Sequence, residues 1–280
     1  PVDAYLDIPT IIKIAKDHNV DAIHPGYGFL AENPILVEEC AKNGIVFIGP
    51  TVESMNAMGD KISSKQIAIA SDVPIIPGVD HAIKTTKEAL EVAEKVGYPV
   101  MLKASNGGGG RGMRIVNKAE DMPKEFKEAI DESKKAFGDD QVFIEKYLRG
   151  PKHVEVQVLA DNYGNVVHLY DRDCSVQRRH QKLIEESPTP AVSRSQRKKL
   201  MDQVTKAVKA IGYVGVGTLE FLLDRDGRFW FMEMNVRLQV EHAVSEMLTQ
   251  VDLVKWQIRI ACGVLLNFKQ KDVRITGAAI

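Results

Sequence analysis

The sequence of 280 residues is poor in cysteine and lacks long apolar runs or an excess of charge of one sign. Its three cysteines are scattered without the spacing of a metal site or a disulfide framework, which predicts a reducing compartment. No run of about 18 apolar residues occurs, so no membrane span is predicted. A net charge of −1 excludes a global field for nucleic acid or anionic membranes. Since no signal peptide is recognisable, we expect the protein in the cytoplasm.

The remaining composition is typical of a globular α/β chain. Hydrophobic residues make up 44% and charged residues 27% of the sequence, and the length suffices for one or two domains. The chain opens at Pro1 and stops within residues 273–280, VRITGAAI, whose pattern predicts a strand. We therefore expect a piece of a longer protein that lacks both ends.

The most informative stretch is residues 97–116, GYPVMLKASNGGGGRGMRIV. Apolar residues at 98–104 and 113–116 predict two strands, and five glycines lie within residues 106–112. Because glycine has no Cβ, successive backbone N–H groups can close around anionic oxygens. Lys103 would add a positive charge for the same ligand. The pattern predicts a nucleotide triphosphate held under a glycine-rich flap.

This loop has alternative interpretations. Gly107, Gly109 and Gly112 match the dinucleotide-binding spacing, but a β-branched run follows them where that fingerprint needs a helix. The loop ends in Gly-Arg-Gly-Met instead of the Gly-Lys-Ser/Thr of a P-loop, and Lys103 precedes it, unlike the lysine of protein kinases. A flexible hairpin tip without a ligand stays open as the simplest alternative.

Apolar periodicity divides the chain into three regions. The first alternates helix and strand, which predicts a parallel, helix-covered sheet, with Asn33 and Pro34 starting the second helix. The second combines helices at 86–96 and 121–136 with the strands around the flap, and the third is rich in strands before a helix at 246–263. The predicted domain boundaries are 1–75, 76–147 and 148–280.

Two polar segments follow the flap region. Alternation places His153, Glu155 and Gln157 on one face of a strand and valines on the other, and this pattern alone favours exposure to water over a binding site. Residues 175–182, SVQRRHQK, are polar and basic. They are either a solvated loop or local counter-charges for phosphate or another small anion.

A predicted hairpin, GTLEFLLDRDGRFWFMEMN, carries the most specific chemistry. A turn at its Asp-Arg-Asp-Gly segment places Glu220 opposite Phe231, with Glu233 diagonal to it and Asn235 on the same face. Burial of two unpaired carboxylates is costly, so we predict an oxygen-ligated cation, Mg²⁺. An acid pair for glycoside hydrolysis is a formal alternative. The alternation continues into residues that suit a planar oxyanion and a base, namely Arg237, Gln239 and Glu241.

The motifs of the chain and their order resemble those of biotin carboxylase, an ATP-grasp enzyme. This enzyme is found as a component or domain of pyruvate carboxylase and of acetyl-, propionyl- and methylcrotonyl-CoA carboxylases. The resemblance implies an α/β (α+β) chain with an ATP-grasp fold, preceded by part of a parallel pre-ATP-grasp sheet and containing a mobile glycine-rich lid. It covers essentially the whole sequence, leans toward pyruvate carboxylase, and rests on HPGYGFLAENP, MGDK, KASNGGGGRGM, EKYL, PKHVEVQ, RDCSVQRRHQK, GTLEF and MEMNVRLQVEH.

The resemblance also implies roles for the matching positions. Glu220 and Glu233 are expected to bind Mg²⁺, assisted by Asn235. Bicarbonate is expected at Arg237, Gln239 and Val240. The expected catalytic residues are Glu241 as general base, Arg237 and Lys182. The expected nucleotide contacts are Lys61, Lys103, Gly108, Gly109, Gly110, Glu145, Lys146, Leu148, His153, Gln177 and His180.

The implied reaction has two stages. Bicarbonate attacks the γ-phosphate of ATP with Mg²⁺ (or Mn²⁺) to give carboxyphosphate, and the CO₂ released from it carboxylates biotin on a carrier domain or protein. The implied partners are this carrier and a carboxyltransferase, with no nucleic acid or membrane. The full-length enzyme is expected to be a homodimer, in the mitochondrial matrix if eukaryotic. Alternatives are another ATP-grasp carboxylate–amine ligase and a nucleotide-binding fragment without full activity.

Four residues depart from the family's usual pattern, and we expect them to tune packing rather than chemistry: Val236, Ala243, Ser245 and Gln250. The family's first strands and a glycine motif would precede Pro1, and a further arginine would follow Ile280. We therefore expect that this piece binds ATP but that biotin carboxylation needs the missing ends.

Overall fold

The computed structural model describes residues 3–59, 61–79, 81–104, 112–138, 140–179 and 181–280. The chain divides into two compact units. None of the described helices is long and apolar enough to cross a membrane. The larger unit comprises Pro1–Pro74, Lys152–Ser175 and Ile184–Ile280, and the smaller unit comprises Ile75–Pro151 and Val176–Leu183.

Helices dominate the first part of the larger unit. The two short strands β1 and β2 named below are parallel, as the helix–strand alternation predicts. Asn33 caps the second helix by accepting the Ile35 N–H at 2.9 Å, and Pro34 occupies its first turn, which confirms the predicted start. The elements are α1 (Ile8–Asp17), β1 (Ala22–Ile23), α2 (Pro34–Lys42), β2 (Val46–Phe47), α3 (Val52–Gly59) and α4 (Lys61–Ala70).

The smaller unit contains α5 (Thr86–Val96), β3 (Val100–Ala104), β4 (Met113–Val116), α6 (Met122–Phe137) and β5 (Val142–Lys146). Strand β3 lies between β4 and β5 and is antiparallel to both. The helices and the sheet share a core that includes Leu102, Phe126 and Ile144. At the base of the glycine loop, the Ala104 N–H donates to the Gly112 carbonyl oxygen at 2.9 Å.

The rest of the larger unit is built on a sheet whose described strands run in the order β10-β9-β6-β7-β8 and pair antiparallel from β10 to β7. The apolar residues Leu159, Leu169 and Trp256 belong to its core. The elements are β6 (Lys152–Ala160), β7 (Val166–Arg178), β8 (Gln181–Glu186), α7 (Arg194–Ala210), β9 (Gly215–Leu223), β10 (Phe229–Asn235), α8 (His242–Thr249) and α9 (Leu253–Ala261). Residues Val176–Leu183, at the end of β7 and the start of β8, belong to the smaller unit.

A β-bulge in β7 decides which of its side chains share a face. The register shifts between β6 and β7 at this point, and Tyr170 has a φ of +63°. His168 and Asp171 pair with Val158 and Val156, which lie two residues apart on β6. His168 and Asp171 therefore share one face of the sheet, and Arg172 lies on the other.

Two sequence predictions of local structure are wrong, and one open alternative is excluded. The predicted helix at 246–263 is two helices, because Gln250 has a φ of +58° and Asp252 caps α9 by accepting the Lys255 N–H at 2.8 Å. Most described residues of 175–182 belong to β7 and β8, which excludes the alternative that this segment is a loop. Residues 273–280, all described, make an isolated bridge between Ala279 and Ser187 instead of a strand.

Candidate active site

A row of charged side chains crosses the sheet of the larger unit. Arg172 on β7 is the cross-strand partner of Glu155 on β6, Glu155 pairs with Glu220 on β9, and Glu220 pairs with Glu233 on β10. Arg172 and Glu155 are fully buried, Glu220 is 5% exposed, and Glu233 is exposed. Like charges on directly opposed positions repel each other. The three neighbouring carboxylates therefore favour positive charge at both ends of the row, and Arg172 supplies it at the buried end.

The register of the β9–β10 hairpin differs from the predicted one. A bulge at Met232 lets Phe231 pair with Phe221 while Glu233 pairs directly with Glu220. The prediction that Glu220 lies opposite Phe231 is wrong because the hairpin register is displaced by one residue from the predicted one, so that Phe231 already pairs with Phe221 on the turn side of the bulge. Phe231 faces the core with its partner Phe221, and the bulge brings Glu233 onto the face of Glu220.

Glu220 is held by three other side chains of the larger unit. Its Oε1 accepts from Asn235 Nδ2 at 2.7 Å and from Gln239 Nε2 at 2.8 Å, and its Oε2 lies 2.7 Å from His153 Nε2. Ligand-type atoms of His153, Glu155 and Glu220 all lie within 4.8 Å of one another. The Glu220 carboxylate thus contacts Asn235, which is expected at the metal, His153, which is expected at the phosphates, and Gln239, which is expected at bicarbonate.

Arg237 is fixed from two sides. Its Nη2 donates to Asn235 Oδ1 at 2.8 Å, and its Nε lies 3.3 Å from Glu32 Oε2. Glu32 Oε1 also accepts the Val236 N–H at 3.0 Å, so one carboxylate orients both the backbone and the guanidinium. Sequence reasoning gave Glu32 no role, although it lies within the HPGYGFLAENP segment that carries the resemblance.

A buried hydrogen-bond network surrounds the guanidinium of Arg172. It donates to Glu155 Oε1 at 2.6 Å, to Gln157 Oε1 at 2.7 Å, to Ser245 Oγ at 2.8 Å and to Gln239 Oε1 at 2.6 Å. Glu155 and Gln157 are 0% exposed, so the prediction that they face water is wrong. Ser245 likewise does more than tune packing, because its hydroxyl accepts from a buried charge.

Sequence reasoning missed Arg172. Burial favours loss of its proton, but the neighbouring Glu155, Cys174 and Glu241 raise the pKa of the guanidinium above its usual value. It is therefore charged inside the protein. The sequence signal is an arginine between two aspartates in an apolar strand, and it becomes informative only once the cross-strand partner is known.

The segment after β10 leads into helix α8. Gln239 is 2% exposed, whereas the side chain of Val240 is 66% exposed. Glu241 is half-buried at the start of α8, and ligand-type atoms of Glu155, Cys174 and Glu241 lie within 4.8 Å of one another. The expected base thus lies near the buried end of the glutamate row.

In the smaller unit, Lys103 and Glu145 form an ion pair. Glu145 is the cross-strand partner of Met101, so Lys103 reaches it diagonally from β3 to β5. Lys146 Nζ donates to the carbonyl oxygens of Gly97 at 2.6 Å and Tyr98 at 3.0 Å. Its ammonium therefore stabilises the turn before β3, and its backbone N–H donates to the Pro77 carbonyl oxygen at 2.7 Å.

The remaining expected site residues are located as follows. Leu148, Gln177 and Lys182 are half-buried residues of the smaller unit. Lys61 is the first residue of α4, and its side chain lies outside the part that the structure describes. Gly108, Gly109, Gly110 and His180 also lie outside the described residues.

Comparisons with known proteins cover the whole chain. Residues 60–269 match the family described as carbamoyl-phosphate synthase L chain, ATP binding domain, and residues 1–55 match biotin carboxylase, N-terminal domain. A biotin carboxylase of Nostoc sp. is 52% identical over 277 residues, covering 99% of this chain and 62% of its own length. A pyruvate carboxylase subunit of Methanothermobacter thermautotrophicus is 51% identical over 280 residues, covering 100% of this chain and 57% of its own length.

A solved structure of a relative has the same fold as this chain. The biotin carboxylase domain dimer of Hydrogenobacter thermophilus 2-oxoglutarate carboxylase, in complex with MgADP, ADP and bicarbonate, matches with a TM-score of 0.92 and 49% identity. The match covers 99% of this chain and 61% of that one. The chain thus spans about half the length of the curated relatives it matches, or slightly more.

Proposed function

Because this chain belongs to the biotin carboxylase family and has its ATP-grasp fold, as the sequence predicts, we propose that its protein carboxylates biotin with ATP and bicarbonate. A bicarbonate oxygen attacks the γ-phosphorus of ATP and displaces ADP. Carboxyphosphate then breaks into CO₂ and phosphate. A ureido nitrogen of biotin bonds to the CO₂ carbon, and its proton passes to phosphate. The solved relative that contains MgADP and bicarbonate supports this reaction.

The observation that carries the proposal is the continuity of two sites along one segment of the larger unit. Glu233 ends the row of carboxylates, and Arg237, Gln239 and Glu241 follow it within eight residues. Asn235 joins the two groups, since it donates to Glu220 and accepts from Arg237. A site for a phosphate-bound cation and a site for a planar oxyanion are therefore linked by hydrogen bonds.

For the metal, the donor set fits Mg²⁺, with Mn²⁺ as a substitute. Glu220 and Glu233 offer carboxylate oxygens at the exposed end of the row, where a hydrated ion has room for substrate phosphates. The amide oxygen of Asn235 accepts from Arg237 and has a second lone pair. When bound, the cation would neutralise charge on the transferred phosphoryl group.

For bicarbonate, we assign the guanidinium of Arg237, the second amide N–H of Gln239 and the backbone of Val240. Glu32 and Asn235 hold Arg237 in place, so little conformational entropy is lost when it meets the anion. Glu241 would take the bicarbonate proton as the oxygen attacks phosphorus.

For the nucleotide, the assignments follow the resemblance within each unit. His153, which already contacts Glu220, would approach the phosphates from the larger unit. In the smaller unit Lys103 would exchange part of its contact with Glu145 for a phosphate oxygen, and Lys182 would lie by the reacting groups. The other proposed contacts are Lys61, Gly108, Gly109, Gly110, Glu145, Lys146, Leu148, Gln177 and His180.

The proposed partners are a biotin carrier and a carboxyltransferase. The relative from Methanothermobacter thermautotrophicus supports a role in a pyruvate carboxylase, and the relative solved as a dimer supports a homodimer. We place the protein in the cytoplasm, or in the mitochondrial matrix of a eukaryote. The divisions at 75/76 and 147/148 are proposed as the boundaries of the pre-ATP-grasp, lid and C-terminal parts.

The test is bicarbonate-dependent release of ADP by the full-length protein, with and without biotin. Glu241→Gln removes the proposed base and should lower the rate by about 100-fold, within the range that general-base catalysis contributes. Glu38→Gln is the matched control, because Glu38 is an exposed glutamate of the same unit. It should leave the rate unchanged.

Each other outcome has a defined meaning. ADP release that ignores bicarbonate but requires a different carboxylate or amine would replace the proposal with another ATP-grasp ligase. Binding of ATP without any bicarbonate-dependent turnover would leave a nucleotide-binding protein. An equal fall in Glu38→Gln would show that the Glu241→Gln result reflects charge or folding and not the base.

A further inference from the structure

The guanidinium of Arg172 imposes a direction on the hydrogen bonds around it. Arginine has donors only, so each amide that meets it must present its oxygen. The oxygens of Gln157 and Gln239 both accept from Arg172 Nη groups. Their NH₂ groups must then point away, and both find acceptors on β9. Gln239 Nε2 donates to Glu220 Oε1 at 2.8 Å, and Gln157 Nε2 donates to the Gly217 carbonyl oxygen at 2.9 Å.

Glu220 depends on this direction. An amide rotated by 180° would bring the Gln239 oxygen against the Glu220 carboxylate, so two acceptors would face each other. With Arg172 in place, that rotation would also set the Gln239 NH₂ group against a donor. The wrong amide orientation is thus penalised at both ends, by Arg172 at one end and by Glu220 at the other.

We infer that Arg172 is a positioning residue for the proposed reaction: it fixes the Gln239 amide, and through it the Glu220 carboxylate. The names of the ligands rest on the proposed function, whereas the link from Arg172 to Glu220 rests on the hydrogen bonds alone. Without Arg172, both the bicarbonate contact of Gln239 and the metal contact of Glu220 weaken together.

The sharpest variant is Arg172→Lys in the full-length protein. Lysine keeps a positive charge beside Glu155, but its single ammonium cannot span the acceptors that the planar guanidinium joins. The KM for bicarbonate and the dissociation constant for Mn²⁺, measured by electron paramagnetic resonance without nucleotide, should both rise by about 10-fold. The affinity for metal-free ADP should stay unchanged.

Arg197→Lys is the matched control. Arg197 Nε donates to the buried Asp171 at 2.6 Å, on the opposite face of β7, and neither residue contacts Gln239 or Glu220 in the described structure. Arg197→Lys should lower thermal stability without raising the KM for bicarbonate or the dissociation constant for Mn²⁺. A merely structural role for Arg172 predicts the same behaviour in both variants.

A second pair of variants covers failure of Arg172→Lys to fold. Glu155→Gln is compared with the double variant Glu155→Gln/Arg172→Gln, in which no unpaired charge remains between the two positions. Because glutamine both donates and accepts, it no longer selects one orientation of Gln239. The double variant should bind Mn²⁺ about 10-fold more weakly than Glu155→Gln alone.

The inference is overturned if folded Arg172→Lys keeps the wild-type KM for bicarbonate and the wild-type dissociation constant for Mn²⁺. It is overturned likewise if the double variant keeps the values of Glu155→Gln alone. It is also overturned if Arg197→Lys shifts the KM for bicarbonate and the dissociation constant for Mn²⁺ equally. If the wild-type protein hydrolyses ATP without bicarbonate, the proposed function fails instead, and the Mn²⁺ measurements still decide the role of Arg172.

Discussion

The two faces of the sheet around β7 bury charges of the same kind but connect them differently. On the face of α7, Asp171 accepts from Arg197 at 2.6 Å and from the Thr189 N–H at 2.9 Å, and Asp173 accepts from the Thr189 hydroxyl at 2.9 Å. On the other face, Arg172 begins the row that runs through Glu155 and Glu220 to the exposed Glu233.

This difference separates a structural use of charge from a functional one. The α7 face joins one helix and one connecting segment to the sheet, so its network holds elements together. The face of the candidate site instead places like charges beside one another in a row that reaches the surface. This arrangement costs stability unless a ligand supplies positive charge. Removal of a charge should therefore act mainly on stability on the first face and mainly on binding on the second.

The largest effect is expected from Arg197→Met on the α7 face. This change leaves Asp171 buried without its cation and should lower the free energy of unfolding by about 3 kcal/mol. Urea unfolding measures the change, and Lys198→Met, which removes an exposed pair with Asp202, should cost little. A loss of Mn²⁺ affinity in Arg197→Met would contradict the statement that charges on the α7 face act mainly on stability.

Glu220→Gln should have the next largest effect, on the site face. The bicarbonate-dependent rate should fall by about 100-fold, because the proposed cation loses a charged ligand. The free energy of unfolding should fall by less than about 1 kcal/mol, since the change also relieves repulsion from Glu155 and Glu233. Steady-state kinetics and urea unfolding of the same variant test both statements. A stability loss comparable to that of Arg197→Met would contradict them.

The third prediction concerns pH and His168, which shares the α7 face with Asp171. Burial lowers the pKa of His168 to about 4, despite an opposing effect of Asp202. The unfolded chain takes up the proton at its ordinary value near 6.5, so stability is lost as pH falls from about 6.5 toward 4. Between pH 7.5 and pH 5 this group should cost about 2 kcal/mol.

Urea unfolding of the wild type and His168→Gln at both pH values measures this cost. The variant should lose about 2 kcal/mol less than the wild type over the same interval. His18→Gln, a change of an exposed histidine in the same unit, is the control and should follow the wild type. Parallel losses in wild type and His168→Gln would exclude His168 as the cause.

Local structure was predictable where the signal is local. Asn33 and Pro34 start α2 as expected, and the predicted helix at 86–96 matches α5. Both depend on a few adjacent residues, a cap and an apolar face. The break between α8 and α9 was missed, because it depends on a glutamine in the left-handed region, which residue preferences do not indicate.

The candidate site was predictable in composition but not in arrangement. Glu220, Glu233, Asn235 and Arg237 were all identified from hairpin alternation and resemblance. The buried network was not, since the partners of Arg172 come from β6, the segment after β10 and α8. Contacts between segments distant in sequence follow from strand order and register, which a single sequence leaves undetermined.

The bulge at Met232 changes the face of the sheet on which the odd-numbered residues of β10 lie. Phe229 and Phe231 face the core, and after one extra residue Glu233 and Asn235 face the site. Met232 is therefore the one residue of this strand without a cross-strand partner in β9. A deletion of Met232 would keep both the phenylalanine and the glutamate pairings and would lose only the local twist. A deletion at either neighbour would remove a paired residue, so a deletion in this strand should be tolerated best at Met232.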